Sequence, residues 1–156
     1  MIGNYINGNH INKNHSSNFI DIYDPSKGES INKVILSNKK DFDDVINSSK
    51  DAFINWSSET PLKRSRVLQK YKYILEKNIE TLAKVISIEH GKTLDDAKGS
   101  VIRGLEVVEF AIGIPHLLKG EFSQNVGSNI DSWSIRQPLG ITAGITPFNF
   151  PAMVPM

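Results

Sequence analysis

Residues 138–151 read PLGITAGITPFNFP, and this stretch decides how the rest of the sequence is interpreted. Its first half, residues 139–145, is an apolar run that contains two glycines. Such a run predicts a strand that is buried on both faces, as in a parallel sheet. Ligands of open parallel sheets bind beyond the carboxyl ends of the strands. Residues 146–150 follow the predicted strand directly and are therefore the first candidate for a functional site.

Asn149 lies at the centre of this candidate site, between two phenylalanines. Pro147 and Pro151 fix their own φ angles and restrict the residues that precede them, which stiffens the segment. A stiff segment can hold the Asn149 amide where it donates a hydrogen bond to an oxyanion forming on a substrate carbonyl. The residues alone favour the other interpretation, because asparagine is a common turn residue and a buried one is usually satisfied by nearby backbone.

A long helix is predicted from Thr93 to about residue 112, and the pair Thr93 and Asp96 resembles a capping box. One apolar stripe along this helix is formed by Leu94, Ala97, Val101, Leu105, Val108 and Ile112. At about 100° per residue, Arg103 points away from the stripe, into a second face that Val107 and Phe110 also make apolar. We therefore expect another part of the protein to cover Arg103.

A covered guanidinium needs an anionic partner, and two are possible for Arg103. A substrate carboxylate fits the planar guanidinium through two parallel hydrogen bonds. The alternative is a surface ion pair with Glu106 or Glu109, of which Glu106 is three residues further along the helix and within reach. The residues leave these two alternatives open.

The N-terminal part predicts short strands joined by turns. A strand from residue 4 is expected to run into the turn Asn7-Gly8, and further strands are expected at residues 19–23 and 31–36. Residues 24–28, DPSKG, are a turn by composition. A small antiparallel meander is the simplest arrangement of these strands.

Helices are predicted next along the chain. The first runs from about residue 40 to 56 and is capped by Ser37 or Asn38. Its expected inner face carries Phe42, Val45, Ile46 and Phe53. A helical pattern then begins at Pro61 and continues to Gly91, which suits a left-handed helix end.

The segment after the long helix predicts little regular structure. Residues 119–130 are rich in glycine, serine and asparagine and are expected to form a loop, whereas residues 133–137 predict a short strand. The sequence is accordingly divided into residues 1–118, 119–137 and 138–156.

Composition excludes several classes of function. The chain has 156 residues and a net charge of +1, from 18 basic and 17 acidic residues, which gives no electrostatic case for binding nucleic acid or an anionic membrane. No apolar run approaches the roughly 18 residues of a membrane span, and the N-terminus lacks the pattern of a secretory signal or transit peptide, so a cytoplasmic protein is expected. The four histidines lack metal-ligand spacing, and no metal site is expected. The sequence contains no cysteine, which excludes disulfides and thiolate chemistry within these residues.

Short motifs in a constant order along the chain point to one family. They are Tyr5-Ile6-Asn7-Gly8, Asp24-Pro25-Ser26-Lys27-Gly28, Ala52-Phe53-Ile54-Asn55-Trp56, Arg64 with Leu68, Glu89-His90-Gly91-Lys92-Thr93, Pro138-Leu139-Gly140-Ile141 and Pro147-Phe148-Asn149-Phe150-Pro151. With these motifs the whole chain resembles the N-terminal third of an aldehyde dehydrogenase. The resemblance implies an α/β fold class, namely the N-terminal part of the aldehyde dehydrogenase fold with an incomplete, Rossmann-like NAD-binding domain.

The subfamily is indicated by residues 103–110, by Phe148 where many relatives have tryptophan, and by Pro151-Ala152-Met153. These features are similar to CoA-acylating methylmalonate-semialdehyde dehydrogenases. The resemblance implies oxidation of a small-molecule substrate, methylmalonate or malonate semialdehyde, to propanoyl-CoA or acetyl-CoA with loss of CO2. NAD is the implied cofactor, coenzyme A is the implied co-substrate, and a homodimer or homotetramer is the implied assembly.

The resemblance also assigns roles to individual residues. Asn149 matches the oxyanion-hole asparagine, and Arg103 matches a position that would meet the carboxylate of a semialdehyde acid. Thr146, Pro147 and Phe148 match loop positions that lie against the NAD.

The same resemblance assigns roles to the three segments. Residues 1–118 and 138–156 would belong to the NAD-binding domain, and residues 119–137 would form a bridging and oligomerisation segment.

The reaction of the family begins when a cysteine thiolate adds to the aldehyde, and this chain has no cysteine. We therefore expect a truncated, inactive chain, with the cysteine loop and most NAD contacts beyond residue 156. Two alternatives remain open. The first is a non-catalytic gene product or interaction module, and the second is an aldehyde dehydrogenase of another specificity, such as one for succinate semialdehyde.

Overall fold

The fold, seen in a computed structural model that describes residues 1–12 and 18–156, combines three β-hairpins with four α-helices. The elements in chain order are β1 (Asn4–Ile6), β2 (Asn9–Ile11), β3 (Phe19–Asp24), β4 (Glu29–Ile35), α1 (Lys39–Trp56), α2 (Pro61–Lys77), α3 (Ile79–His90), α4 (Leu94–Ile112), a 3-10 turn (Ile114–His116), β5 (Phe122–Gly127) and β6 (Ile130–Trp133). Each hairpin is antiparallel.

Strands β1, β3 and β4 form where the sequence predicts strands, whereas β2 is not predicted, and the four strands do not form a meander. The turn Asn7-Gly8 joins β1 to β2 with φ angles of 50° and 77°, which is the geometry that favours Asn-Gly in two-residue hairpin loops. A parallel bridge between Ile2 and Val34 connects this hairpin to the β3–β4 hairpin. The meander prediction is wrong because the residues before β1, rather than β2, pair with the second hairpin.

The turn between β3 and β4 is organised by Asp24, which is buried at 4% exposure. Its carboxylate accepts hydrogen bonds from the backbone N–H and the hydroxyl of Ser26, and Lys27 Nζ lies 3.8 Å from it. Its carbonyl accepts the N–H of Gly28, whose φ of 71° suits glycine. The Ser26 hydroxyl, the Ser26 N–H and the Lys27 charge together lower the pKa of Asp24 below its usual value.

Acid is expected to loosen this turn. Because the pKa of Asp24 is lowered in the folded state, its contribution to stability is complete above the unfolded pKa of about 4 and is lost as the pH falls through the folded pKa. An NMR titration of the Asp24 carboxyl carbon measures this pKa. The variant Ser26→Ala should move it back towards the usual value, and an Asp24 that titrates at or above that value would contradict the prediction.

Helix α1 begins at the predicted cap but does not bury its predicted inner face. Asn38 forms a full capping box, in which its side chain accepts the N–H groups of Lys40 and Asp41 and the Asp41 side chain accepts the N–H of Asn38. Phe42 is 59% exposed and Val45 is 37% exposed. The inner-face prediction is therefore wrong for these two residues, because no other described element covers them.

The predicted helical pattern from Pro61 to Gly91 is divided at Asn78. The N–H of Asn78 donates to the carbonyl of Leu75 at 2.9 Å, and its side-chain amide donates to the carbonyl of Ile74 at 2.7 Å. These bonds end α2, and α3 begins at the next residue. The local hydrogen bonds of one asparagine thus compete with the continuation of the helix.

The core lies between α2, α3 and α4 and contains most of the predicted stripe of α4. Its buried residues form two neighbouring clusters, Ala83, Ile86, Ala97 and Val101 in the first and Leu75, Leu105 and Val108 in the second. The stripe is confirmed at its centre, whereas its first residue, Leu94, is 41% exposed. An ion pair between Lys98 and Glu80 ties α4 to α3, and the Ser65 hydroxyl ties α2 to the carbonyl of Ile112.

Two predictions for the C-terminal part are wrong. The predicted loop 119–130 contains β5 and the turn to β6, and the strand predicted at 133–137 lies at Ile130–Trp133 instead. This hairpin exposes both faces, so burial imposes no alternating pattern on its sequence.

The predicted buried strand at residues 139–145 is also absent from the described structure. Leu139 is 97% exposed and Ile145 is fully exposed. A central strand exists only through the hydrogen bonds of its neighbours, and no strand of the described residues lies alongside this segment.

Candidate functional site

The segment that follows the apolar run docks on the helical core through its last residues. Ala152 and Met156 pack against the α3–α4 cluster. Gly104 of α4 allows this approach, because a Cβ added there would lie 3.2 Å from the Met153 Cα and would clash with the Met156 sulfur. The N–H of Val154 donates to the carbonyl of Phe150 and closes a helix-like turn. The docked turn holds Asn149 and Phe150 beside Lys92, which lies between α3 and α4, and holds Phe150 beside Arg103 in the middle of α4.

Asn149 presents its side chain at the surface of this docked segment. The residue is exposed, and its side-chain amide forms no hydrogen bond within the part of the chain that the structure describes. Its carbonyl accepts a hydrogen bond from Lys92 Nζ at 3.1 Å. The backbone of Asn149 is therefore fixed while its amide remains free to donate, unlike that of a turn asparagine satisfied by nearby backbone.

Arg103 lies next to this segment rather than under a cover. Its guanidinium carbon is 5.9 Å from the centre of the Phe150 ring, in the range of a cation–π contact. The expected cover is wrong for the described residues, since Arg103 is exposed and Val107 and Phe110 are 50% and 67% exposed. Glu109, one of the two candidate partners, lies 3.6 Å from Lys72 Nζ instead. The guanidinium is consequently open to an external anion.

Thr146, Pro147 and Phe148 form an exposed edge of the same segment. Phe148 is 87% exposed, and its ring lines an open cavity of about 510 Å³ between the segment and helices α2 and α3. The wall of this cavity is largely apolar and includes Tyr71 and Leu82. The structure therefore brings Arg103 of α4 next to the segment that carries Thr146, Pro147, Phe148 and Asn149, through the ring of Phe150.

The structure adds Lys92, to which the sequence assigns no role. Lys92 follows Gly91, whose φ is 84° and whose N–H donates to the carbonyl of Ser87 at 2.9 Å. The Ser87 hydroxyl donates to the Lys92 carbonyl at 2.9 Å, so the backbone of Lys92 is held by the end of α3. The motif around Gly91 indicates the end of a helix. The hydrogen bond to the carbonyl of Asn149, which is 57 residues away, shows in addition that Lys92 contacts the candidate site.

Two other classes of site find no support in the described residues 1–12 and 18–156. These residues contain no cluster of three histidine or acidic side chains that could hold a metal ion. None of their helices is both long enough and apolar enough to cross a membrane.

Comparison with known proteins identifies the family. The sequence model of the aldehyde dehydrogenase family matches residues 11–156. The chain belongs to the aldehyde dehydrogenase family. The resemblance of the motifs in residues 138–151 is thereby confirmed.

Individual relatives of this aldehyde dehydrogenase chain carry related names. The malonate-semialdehyde dehydrogenase of Pseudomonas aeruginosa is 52% identical over 136 residues, which are 87% of this chain and 27% of the relative. A crystal structure assigned to a methylmalonate-semialdehyde dehydrogenase of Sinorhizobium meliloti, complexed with NAD, is 47% identical with a TM-score of 0.94 over 99% of this chain. The methylmalonate-semialdehyde dehydrogenase of Oceanimonas doudoroffii is 44% identical with a TM-score of 0.93, also over 99% of this chain.

The same comparisons define how much of the fold this chain contains. It covers 31% of the length of each of the two solved relatives. The expected fold class, the N-terminal part of the aldehyde dehydrogenase fold, is confirmed by this agreement.

Proposed function

We propose that this chain supplies the N-terminal part of an NAD-dependent, CoA-acylating methylmalonate- or malonate-semialdehyde dehydrogenase. The observation that carries the proposal is the position of Arg103, whose open guanidinium lies 5.9 Å from the ring of the residue next to Asn149. A semialdehyde acid has an aldehyde at one end and a carboxylate at the other. One hydrogen-bond donor for a developing oxyanion and one guanidinium for a carboxylate match those two groups.

The residues divide the work in this proposal. The Asn149 side-chain N–H donates to the aldehyde oxygen as a thiolate of the complete enzyme adds to the carbonyl carbon, and it stabilises the negative charge that develops there. Arg103 binds and orients the substrate carboxylate. The cysteine that provides the thiolate is outside these 156 residues, which contain none.

The exposed edge formed by Thr146, Pro147 and Phe148 fits a planar cofactor. The Phe148 ring is 87% exposed beside a largely apolar cavity, so a planar ring system can lie against it. When bound there, NAD supplies the hydride acceptor of the oxidation. Coenzyme A then takes up the acyl group that remains after loss of CO2, as propanoyl-CoA or acetyl-CoA.

The proposal extends to organisation and location. Residues 1–118 and 138–156 belong to the NAD-binding domain, and residues 119–137 form a bridging segment between copies in a homodimer or homotetramer. The exposed hairpin β5–β6 supports that role, because Phe122 and Trp133 are paired on it and are 65% and 68% exposed. The location proposed for the enzyme is the cytoplasm.

A second candidate function stands beside the dehydrogenase. The absence of cysteine from the sequence fits a non-catalytic interaction module equally well. The two functions can be distinguished by one property. If the chain is part of a dehydrogenase, residues 1–156 complete an active site when the rest of a related dehydrogenase is supplied, whereas an interaction module does not.

The test is an enzyme in which residues 1–156 of this chain precede the part of the Sinorhizobium meliloti relative beyond its matched 31%. We call this protein the fused enzyme. We expect it to reduce NAD in the presence of malonate semialdehyde and coenzyme A, followed as absorbance of NADH, and to form acetyl-CoA. The relative's remainder without this chain is the control. A folded, oligomeric fused enzyme with no activity would favour the interaction module.

A further inference from the structure

Lys92 joins two parts of the chain that are 57 residues apart, through two contacts of one ammonium group. Its Nζ donates to the carbonyl of Asn149 at 3.1 Å and lies 4.8 Å from the centre of the Phe150 ring. We infer that Lys92 is a positioning residue, which fixes the backbone of Asn149 so that the side-chain amide points at the reacting carbonyl. The inference rests on the proposed function for its catalytic consequence.

The backbone around Lys92 is itself held in place by several contacts. The Gly91–Lys92 corner is held by the Ser87 hydroxyl on the Lys92 carbonyl and by the Gly91 N–H on the Ser87 carbonyl. Pro25 packs against the corner, because a Cβ on Gly91 would lie 2.7 Å from Pro25 Cγ. The β3–β4 turn, the end of α3 and the start of α4 therefore meet at the residue that holds Asn149.

The backbone of Asn149 depends on its contact with Lys92. Asn149 itself is exposed, and the segment before it, residues 139–147, forms no helix or strand. Ala152 and Met156, which dock the segment on the core, follow Asn149 by three and seven residues. Lys92 thus supplies the contact that reaches the backbone of Asn149 directly. A donor misplaced by about 1 Å can cost a reaction roughly 10²-fold in rate.

A second role for Lys92 would have a different kinetic signature. Lys92 and Arg103 both approach the Phe150 ring, so Lys92 could instead be a second ligand of the substrate carboxylate. Loss of such a ligand would raise the KM for a carboxylated aldehyde. Loss of a positioning residue lowers kcat with little change in KM, because it weakens the hydrogen bond from Asn149 to the oxyanion, which forms in the transition state.

The kinetic experiment compares four forms of the fused enzyme. We expect Lys92→Met to lower kcat roughly 10- to 100-fold with an unchanged KM for malonate semialdehyde, and Lys92→Arg to recover most of kcat because it keeps a cationic donor. The matched control is Lys77→Met, which removes a similar contact, 4.2 Å from the Tyr73 ring, far from Asn149 in the sequence. Equal losses in Lys92→Met and Lys77→Met, a KM effect in place of a kcat effect, or no rescue by arginine would overturn the inference.

A contact experiment on the 156-residue chain separates this inference from the proposed function. NMR should show a nuclear Overhauser effect between the Lys92 ε-methylene and the Phe150 ring, and a ring-current shift of that methylene that Phe150→Leu abolishes. Absence of both in a folded chain would refute the positioning role even if the fused enzyme is active. Conversely, an inactive fused enzyme in which the contact is present would refute the dehydrogenase proposal and leave the contact standing.

Discussion

Replacement of Asn149 by alanine is expected to lower the kcat of the fused enzyme about 10²- to 10³-fold, with little change in the KM for the semialdehyde. The amide donates to the carbonyl oxygen only as negative charge develops on it, so its loss affects the transition state more than substrate binding. The measurement is the initial rate of NADH formation at saturating NAD and coenzyme A. Circular dichroism of the variant checks that its helical content is unchanged.

Two further variants sharpen this prediction. Asn149→Asp keeps the shape of the side chain but replaces the donor with a negative charge, and it should be at least as inactive as the alanine variant. Asn47→Ala removes an exposed asparagine amide from α1 and should leave the rate unchanged. If the Asn149→Ala enzyme kept roughly a third or more of the activity, a loss far smaller than the expected one, the oxyanion role would be refuted.

The helices of this chain could be predicted from sequence because their determinants are local. The Asn38 cap, the first-turn proline of α2, the left-handed Gly91 and the stripe of α4 each act within a few residues. The strand pairs with tight turns, such as β1–β2 around Asn7-Gly8, are also local. Local determinants can be read one segment at a time, so the starts of α1, α2 and α4 and the end of α3 agree closely with expectation, whereas the break between α2 and α3 at Asn78 is not predicted.

The errors arise where structure depends on distant or missing neighbours. Residues 139–145 have the composition of a central strand, but a strand requires hydrogen-bonded partners that the described residues do not provide. The hairpin β5–β6 is mispredicted for a different reason. It is paired in the structure, yet both of its faces are exposed, so its sequence shows no alternation. Its bend at Asn125, where φ is 58° and the N–H donates to Asp131, further obscures the strand in the sequence.

In the candidate site too, residues marked by local sequence features could be predicted, and residues defined by distant contacts could not. Asn149 and Arg103 could be named as candidates from the sequence, because one follows an apolar run in a proline-stiffened segment and the other lies opposite the apolar stripe of its helix. The residues alone favoured a turn role for Asn149 and left two partners open for Arg103, so their site roles stand on the family resemblance and remain predictions. Their common neighbour Phe150 and the anchor Lys92 required the fold, since Lys92 and Asn149 are far apart in the chain. The predicted roles of Thr146, Pro147 and Phe148 towards NAD remain predictions that stand on the family resemblance and on their exposed position.

Replacement of Arg103 by leucine is expected to lower kcat/KM for aldehydes that carry a carboxylate and to leave kcat/KM for uncharged aldehydes nearly unchanged. Truncating one partner of a buried hydrogen-bonded charge pair costs about 2–5 kcal/mol, and a tenfold change corresponds to about 1.4 kcal/mol, so kcat/KM for malonate semialdehyde should fall roughly 30- to 4,000-fold if the bound substrate buries the pair. An uncharged aldehyde of similar size, such as propanal, makes no such contact and should change by no more than a few-fold. The ratio of the two effects is the measurement, because a general loss of folding or of catalysis would lower both rates equally.

The matched variants for Arg103 distinguish charge from geometry. Arg103→Lys keeps a positive charge beside Phe150 but loses the planar fork, so it should restore only part of the preference for the carboxylated substrate. Arg66→Leu removes an exposed arginine from α2 and should affect neither substrate. Equal losses on both aldehydes in Arg103→Leu would show that Arg103 supports the Phe150 ring rather than the substrate. Unchanged rates on both aldehydes would instead leave a surface ion pair with Glu106 as the role of Arg103 and would remove the observation on which the semialdehyde specificity rests.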